Sequence, residues 1–271
     1  MRIYLSLLSM ALVSGLFLNS PGIAEELTGR QVMEKQRSFQ TVKTEYGEER
    51  MLLVDVKTNT KENRQVKRYA KKSENGLNRY LVVFLAPADI RGTALLIHEQ
   101  ENEDDQWMYM PAVKKMQRIA SASKRSYFMG TDFTYEDLEQ EKIDQYTYTM
   151  LRTETIDHVT PPRQCHVIEA IPLGGTKKSS GYSRRIIWVD QQHFFTLKIE
   201  FFDRRNRLIK TQKSFEWENI TGTVYRPRKT IMDHHRKHHK TLTLMENRHL
   251  TTPIADQVFT ERFILSEKHF E

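Results

Sequence analysis

From Glu48 onward the hydrophobic pattern has a period of two, and the runs that carry it follow one another with little chain between them. EERMLLVDVKT (48–58), RQVKRYAKK (64–72), NRYLVVFLAP (78–87), TALLIHEQ (93–100) and QWMYMP (106–111) are rich in β-branched, aromatic and aliphatic residues, with turn signals such as Glu74-Asn75-Gly76 between them. The same texture returns near Thr147 in YTYTMLRTETI, RQCHVIEAI, SRRIIWVD, FFTLKIEFFD, RLIKTQKSFEW, TVYRPRKTIMD and KTLTLMEN. A parallel crossover needs a dozen or more residues, so strands joined this closely must be mostly antiparallel. About ten to twelve strands in one domain predict a large curved sheet or a partly closed barrel.

Two segments break the rhythm. Before the strands, GRQVMEKQRSF places Leu27, Val32, Met33, Gln36 and Phe39 near helical spacing, with Thr28 positioned to cap the first turn. In the middle, Ala120 to Gln145 reads as a loop followed by one or two helical turns, where Thr134 and Asp137 have capping-box spacing. A loop this long inside a compact domain, carrying Tyr127, Phe128, Met129, Phe133 and Tyr135, points to function.

The N-terminus has Arg2, an apolar run from Ile3 to Leu18, Asn19-Ser20-Pro21-Gly22 and then Ala24, the pattern of a secretory signal peptide. The run is shorter than the roughly 20 residues of a membrane span. Residues 1–24 are therefore expected to be a cleaved leader and 25–271 a single domain exported to the periplasm. No cysteine ends the apolar run, so the mature chain is not expected to carry a lipid anchor. Cys165 is the only cysteine, which excludes an intrachain disulfide. The formal net charge of +7 becomes +6 once Arg2 leaves with the leader, since 1–24 holds no acid. For an exported chain, that balance fits solubility, anionic membrane surfaces or negatively charged cargo better than nucleic acid.

QWMYMPAVKKMQRI (106–119) is both oily and basic. As a strand it sends Trp107 and Tyr109 to one face and Met108 and Met110 to the other, Pro111–Lys115 forming a hairpin tip before a returning strand. With both faces apolar, the second is either covered by the protein's own helices or lines a cavity, and methionines and large aromatics suit a cavity for flexible acyl chains. Lys114, Lys115, Arg118, Lys124 and Arg125 are either a solvated strand edge or a positive lip.

Patterns that would carry other chemistry are weak. DHHRKHH (233–239) would pair histidines at helical spacing, but its flanks alternate as strands, so it is expected to be a solvent-exposed hairpin tip rather than a metal site. EQENEDD (99–105) lacks a calcium-loop pattern and is expected to be an exposed turn. No Gly-x-Ser-x-Gly, His-Glu-x-x-His or phosphate-cradling glycine loop occurs. Cys165 and His166 are adjacent on a strand and point to opposite faces, so they cannot act as nucleophile and base. Neither an enzymatic activity nor a cofactor is expected.

The run from Phe84 to Leu138 contains Pro87-Ala88-Asp89 and Gly92-Thr93, then an acidic turn into Gln106-Trp-x-Tyr-x-Pro-Ala112. Arg118-Ile119 and Phe128-Met-Gly-x-Asp-Phe-x-Tyr-Glu-Asp-Leu138 follow. This pattern closely resembles the outer-membrane lipoprotein-sorting protein family, relatives of the periplasmic carrier LolA, and a weaker likeness extends to Phe259-Thr260. The resemblance implies an α+β half-barrel whose concave apolar face is lidded by helices and holds lipid chains. It also implies transient membrane contact, lipid or acylated lipoprotein cargo, an outer-membrane acceptor, and association with an inner-membrane export transporter of the resistance-nodulation-division (RND) type. The family's relatives include periplasmic regulators of the RseB type, so a stress sensor that binds a protein partner is the alternative. In that frame Trp107, Met108, Tyr109, Met110 and Met116 are expected in or beside the cavity wall, and Phe128, Met129 and Phe133 in a lid hinged at Gly130. Lys114, Lys115 and Arg118 would meet a membrane, head group or partner.

Overall fold

The computed structural model describes residues 26–250 and 252–270; the leader expected at 1–24 lies outside the described residues. The first strands are β1 (Thr44–Asp55), β2 (Lys61–Lys72), β3 (Asn78–Ala86), β4 (Ala94–His98), β5 (Asp105–Met110) and β6 (Lys115–Arg118). After a long crossover come β7 (Tyr146–Ile156), β8 (Arg163–Pro172), β9 (Tyr182–Asp190), β10 (Thr196–Asp203), β11 (Leu208–Thr221), β12 (Val224–His234) and β13 (His239–His249). All belong to one 13-stranded antiparallel sheet, curved but not closed into a barrel, in the order β6-β5-β4-β3-β2-β1-β13-β12-β11-β10-β9-β8-β7. The short returning strand β6 carries the number past the expected ten to twelve.

That order comes from two meanders, β1–β6 and β7–β13, joined where β1 pairs with β13 in the middle of the sheet, Met51 opposite Thr243 and Leu53 opposite Thr241. Strands β6 and β7 follow each other in the chain but stand at opposite edges. The chain between them, residues 119–145, must therefore pass over a whole face of the sheet. This is the physical reason for the break in the period-two pattern.

Strand alternation assigns the two faces. The crossed face carries Met108, Leu95, Ile97, Val82, Phe84, Val66, Met51 and Leu53, with Phe128, Met129, Tyr135 and Leu138 of the crossover packed on them. At the other end of the same face, Ile168, Ala170, Ile187 and Val189 receive Val32 and Met33 of helix α1 (Gly29–Gln40). The helix starts as expected, with a Thr28–Gln31 capping box. It lies so close to the sheet edge that a Cβ on Gly29 would meet the Tyr148 carbonyl oxygen at 2.9 Å. Arg37, in the last turn of α1, donates to Glu99 at 3.1 Å and to the Glu141 carbonyl at 3.2 Å.

The opposite face of β3–β6 is covered by the end of the chain. Leu81, Leu96, Trp107, Tyr109 and Met116 pack there with Ile254, Phe259, Phe270 and Ile264, the last from helix α2 (Glu261–Leu265). Helical cover is thus not confined to the crossed face. Tyr109 donates to Glu267 at 2.8 Å, and Nε2 of His269 lies 2.8 Å from the Gly92 carbonyl oxygen. Ile264 is fully buried. Ile264→Ala is expected to cost about 2–5 kcal/mol and to loosen this cover, seen as a lower urea midpoint together with a red shift of the tryptophan emission, to which Trp107 contributes.

Candidate functional site

The crossed face is apolar towards both ends and polar in the middle, where β11, β12 and β13 present Lys210, Thr230, His234, His239, Thr241 and Thr243. The crossover answers these groups one by one. Lys210, fully buried, forms an ion pair with Asp137, itself almost fully buried, and donates to the Asp132 carbonyl at 3.0 Å. The Asp132 carboxylate lies 2.7 Å from Nδ1 of His239 and accepts from Thr241 at 2.8 Å, while the Thr241 hydroxyl accepts from the Asp132 backbone at 2.9 Å. Tyr182 donates to Asp137 at 2.8 Å, and the Tyr127 hydroxyl lies 2.6 Å from Nε2 of His234. The expected capping box at Thr134 and Asp137 is present: the Thr134 backbone donates to Asp137 at 2.6 Å, and the Asp137 backbone to Thr134 at 3.3 Å. It opens a single 3-10 turn at Glu136–Leu138.

A buried ion pair adds little net stability because both charges lose water, yet removing one partner strands the other at a high cost. The network therefore fixes where the crossover sits more than it strengthens the fold. Burial pushes the Tyr127 hydroxyl up to about 12 and lowers the His234 imidazole to about 4, outweighing the nearby Asp132 carboxylate.

Two connected spaces remain between crossover and sheet. The apolar one is a chamber of about 200 Å3 walled by Gly47, Tyr69, Ala70, Tyr80, Val82, Ile97 and Met245, with Leu138 over it and Glu45 and Arg68 at its margin. It shares Glu45, Ala70, Tyr80 and Leu138 with a more polar space of about 260 Å3 that runs along the last turn of α1. A separate cleft of about 490 Å3 beside residues 136–145 is lined by charged residues, among them Asp104, Lys124, Glu136, Glu141 and Arg185.

The residues singled out in the sequence fall in different places. Phe128 is buried with its ring 5.5 Å from Phe84, Met129 packs beside it, and Phe133 packs with Tyr182, Phe201 and Met232, so all three side chains fix the crossover to the sheet. Gly130 and Met129 both have left-handed backbone, φ +75° and +48°. Met108 lies under the crossover, whereas Trp107, Tyr109 and Met116 pack on the opposite face beneath the C-terminal segment, and Met110 is exposed. None of these aromatic and methionine residues lines the chamber. Its walls come from β1, β2, β3, β4 and β13, which long-range pairing brings together and no local motif announces. Lys114, Lys115 and Arg118 are exposed at the β5–β6 tip, Arg118 pairing with Asp105; Lys124 is instead buried against Glu139 at 2.6 Å.

Two expectations about charged runs are corrected. Glu99 and Asp104 of the acidic turn are buried, because they hold Arg37 of α1 and Lys142 of the crossover. The histidine run does form the β12–β13 tip, but His234 is buried and His239 turns inward, since strand alternation aims both at the crossover. Among the described residues no group of His, Cys, Asp and Glu is arranged to hold a metal ion. Cys165 is buried, its thiol pushed up to about 12 by burial, and it faces away from His166, which packs with Phe194 on the crossed side.

Crystal structures similar to this fold include an outer membrane lipoprotein-sorting protein domain from Vibrio parahaemolyticus, 27% identical with a TM-score of 0.81 over 88% of this chain and 98% of that one. A DUF1329 family protein from Desulfovibrio piger is 25% identical with a TM-score of 0.80 over 87% and 97% of the two chains. A LolA superfamily protein from Nitrosomonas europaea, at 22% identity and a TM-score of 0.68 over 88% and 100%, shares the fold. No curated protein matches the sequence. A family model described as "Uncharacterized protein" matches residues 76–266.

The chain belongs to that family, and its fold is LolA-like. In this LolA-like protein the family-model match takes in the whole crossover and every strand from β3 to β13, so the polar anchor and half of the chamber's lining lie within it.

The anchor yields two expected outcomes. Lys210→Met leaves Asp137 buried without its cation and is expected to cost about 3–5 kcal/mol, much of it recovered in Lys210→Met/Asp137→Leu; urea denaturation of the four proteins of the cycle checks this. Because His234 titrates near 4 when folded and at about 6.5 when unfolded, the unfolded chain binds the additional proton between those values. Stability is then lost as pH falls through that window. Melting temperatures measured across it should decline less steeply in His234→Gln.

Proposed function

We propose that the protein is a periplasmic carrier that takes an acyl chain of a lipid or lipoprotein into the chamber beneath residues 127–140 and hands it on towards the outer membrane. The observation that supports this most directly is the apolar chamber itself, closed on one side by the sheet and on the other by Leu138 of an anchored crossover. Each methylene left in water costs about 0.8 kcal/mol, so an acylated molecule needs such shielding between two membranes. Similarity to a lipoprotein-sorting domain at 27% identity points the same way.

In this reading the leader at 1–24 exports the chain and the work is transport without catalysis. Phe128, Met129 and Phe133 seat the lid, and Gly130 supplies the turn at which it yields when cargo enters. The β5–β6 tip, where Lys114, Lys115 and Arg118 stand beside exposed Met110 and Val113, meets the membrane or a partner such as an RND-type transporter or an outer-membrane acceptor.

Native mass spectrometry with lipid extraction, on protein purified from the periplasm without detergent, tests the proposal. Co-purifying acylated molecules of defined mass are the expected result. Ala70→Phe, which fills the chamber from β2, should abolish their retention while the melting temperature stays within a few degrees. A folded protein that is empty and takes up no neutral fluorescent chain would sink the carrier reading and favour a regulator that binds a protein partner.

A further inference from the structure

The chamber is small, and the space that shares its walls is lined by more basic than acidic residues. At about 200 Å3 the chamber lies below the roughly 300–1,000 Å3 of pockets that enclose drug-sized ligands, which leaves no room for more than one acyl chain. The adjoining space that shares its walls is lined by four basic residues, Arg37, Lys71, Lys72 and Arg226, against two acids, Glu45 and Glu139. Tracing each charge to its partner shows what remains. Arg37 is met by Glu99, Lys71 by Asp256 at 2.7 Å, and Glu139 by Lys124 at 2.6 Å. The carboxylate of Glu45 is divided between Arg226 and Arg248, each at 3.0 Å, so two cations share one anion. Lys72, at the end of β2, is exposed.

Resting on the carrier reading above, we propose that the cargo is a single-chain amphiphile with an anionic head, its chain in the chamber and its carboxylate or phosphate at Lys72 and Arg226. The excess charge stands at the mouth and not inside the apolar chamber, which is the order a head group and its chain require. A cationic head would meet like charge there, and a neutral one would gain nothing from the uncompensated cations.

Displacement of the neutral probe N-phenyl-1-naphthylamine from the full-length mature protein tests this, with oleate, oleoyl lysophosphatidate, monoolein and oleylamine as competitors carrying one common chain. Oleate and the lysophosphatidate should bind about tenfold more tightly than monoolein, and the preference should shrink at high salt. It should collapse in Lys72→Glu and survive in Lys72→Arg. Equal binding of oleate and monoolein, or tighter binding of oleylamine, overturns the anionic head while leaving the carrier reading in place. Failure of every competitor and of the probe itself overturns both. A difference between oleate and the lysophosphatidate tells which anion the mouth fits.

Discussion

The pairing of β1 with β13 governs the architecture. Two antiparallel meanders would otherwise be separate sheets, each with two open edges and one poorly covered face. Joined in the middle, they form one sheet whose free edges belong to strands that are consecutive in the chain. Residues 119–145 then have no route except across a face, and crossing a face forces them to bury backbone and side chains there. The crossover satisfies its backbone groups in short 3-10 turns and its side chains through Phe128, Phe133, Asp132 and Asp137. The anchored strap and the chamber beneath it both follow from one strand pairing.

The crossed face has a division of labour. Its apolar ends hold α1 and the aromatic residues of the crossover by non-directional burial, which tolerates small shifts. Its polar centre, Lys210 with Asp137 and His239 with Thr241 around Asp132, is directional and accepts only one placement. A strap that yields to cargo, as proposed above, cannot be held by burial alone without closing the chamber. Nor can it be left free without exposing the chamber to water. Holding it at a few defined polar points while Leu138 spans the space reconciles the two demands.

The proposed carrier function would add a constraint of its own. A binding site that shields many methylenes gains affinity with each one, and transfer fails if release becomes too slow. A chamber sized for one chain and bounded by a charged mouth limits that gain. Under the proposed reading, Lys114, Lys115 and Arg118 at the β5–β6 tip, apart in sequence from Lys72 and Arg226, would separate surface contact from cargo recognition.

Period-two alternation and short connections determined the antiparallel sheet, since side chains on a strand must alternate and a short link cannot return a parallel strand. Local chemistry also determined the Thr28 cap, the Thr134–Asp137 box, the β5–β6 and β12–β13 tips, and the separation of Cys165 from His166. The importance of residues 120–145 was legible as a break in period. Which face each strand shows, and to what, was not. Trp107, Tyr109 and Met116 turned out to serve the C-terminal cover, Glu99 and Asp104 became buried anchors, and the chamber arose from Gly47, Ala70, Tyr80, Val82 and Met245, unremarkable in sequence. Alternation fixes that two faces differ, but only the long-range pairing of β1 with β13 decides which segment lies over each, because partners distant in sequence leave no local pattern to read.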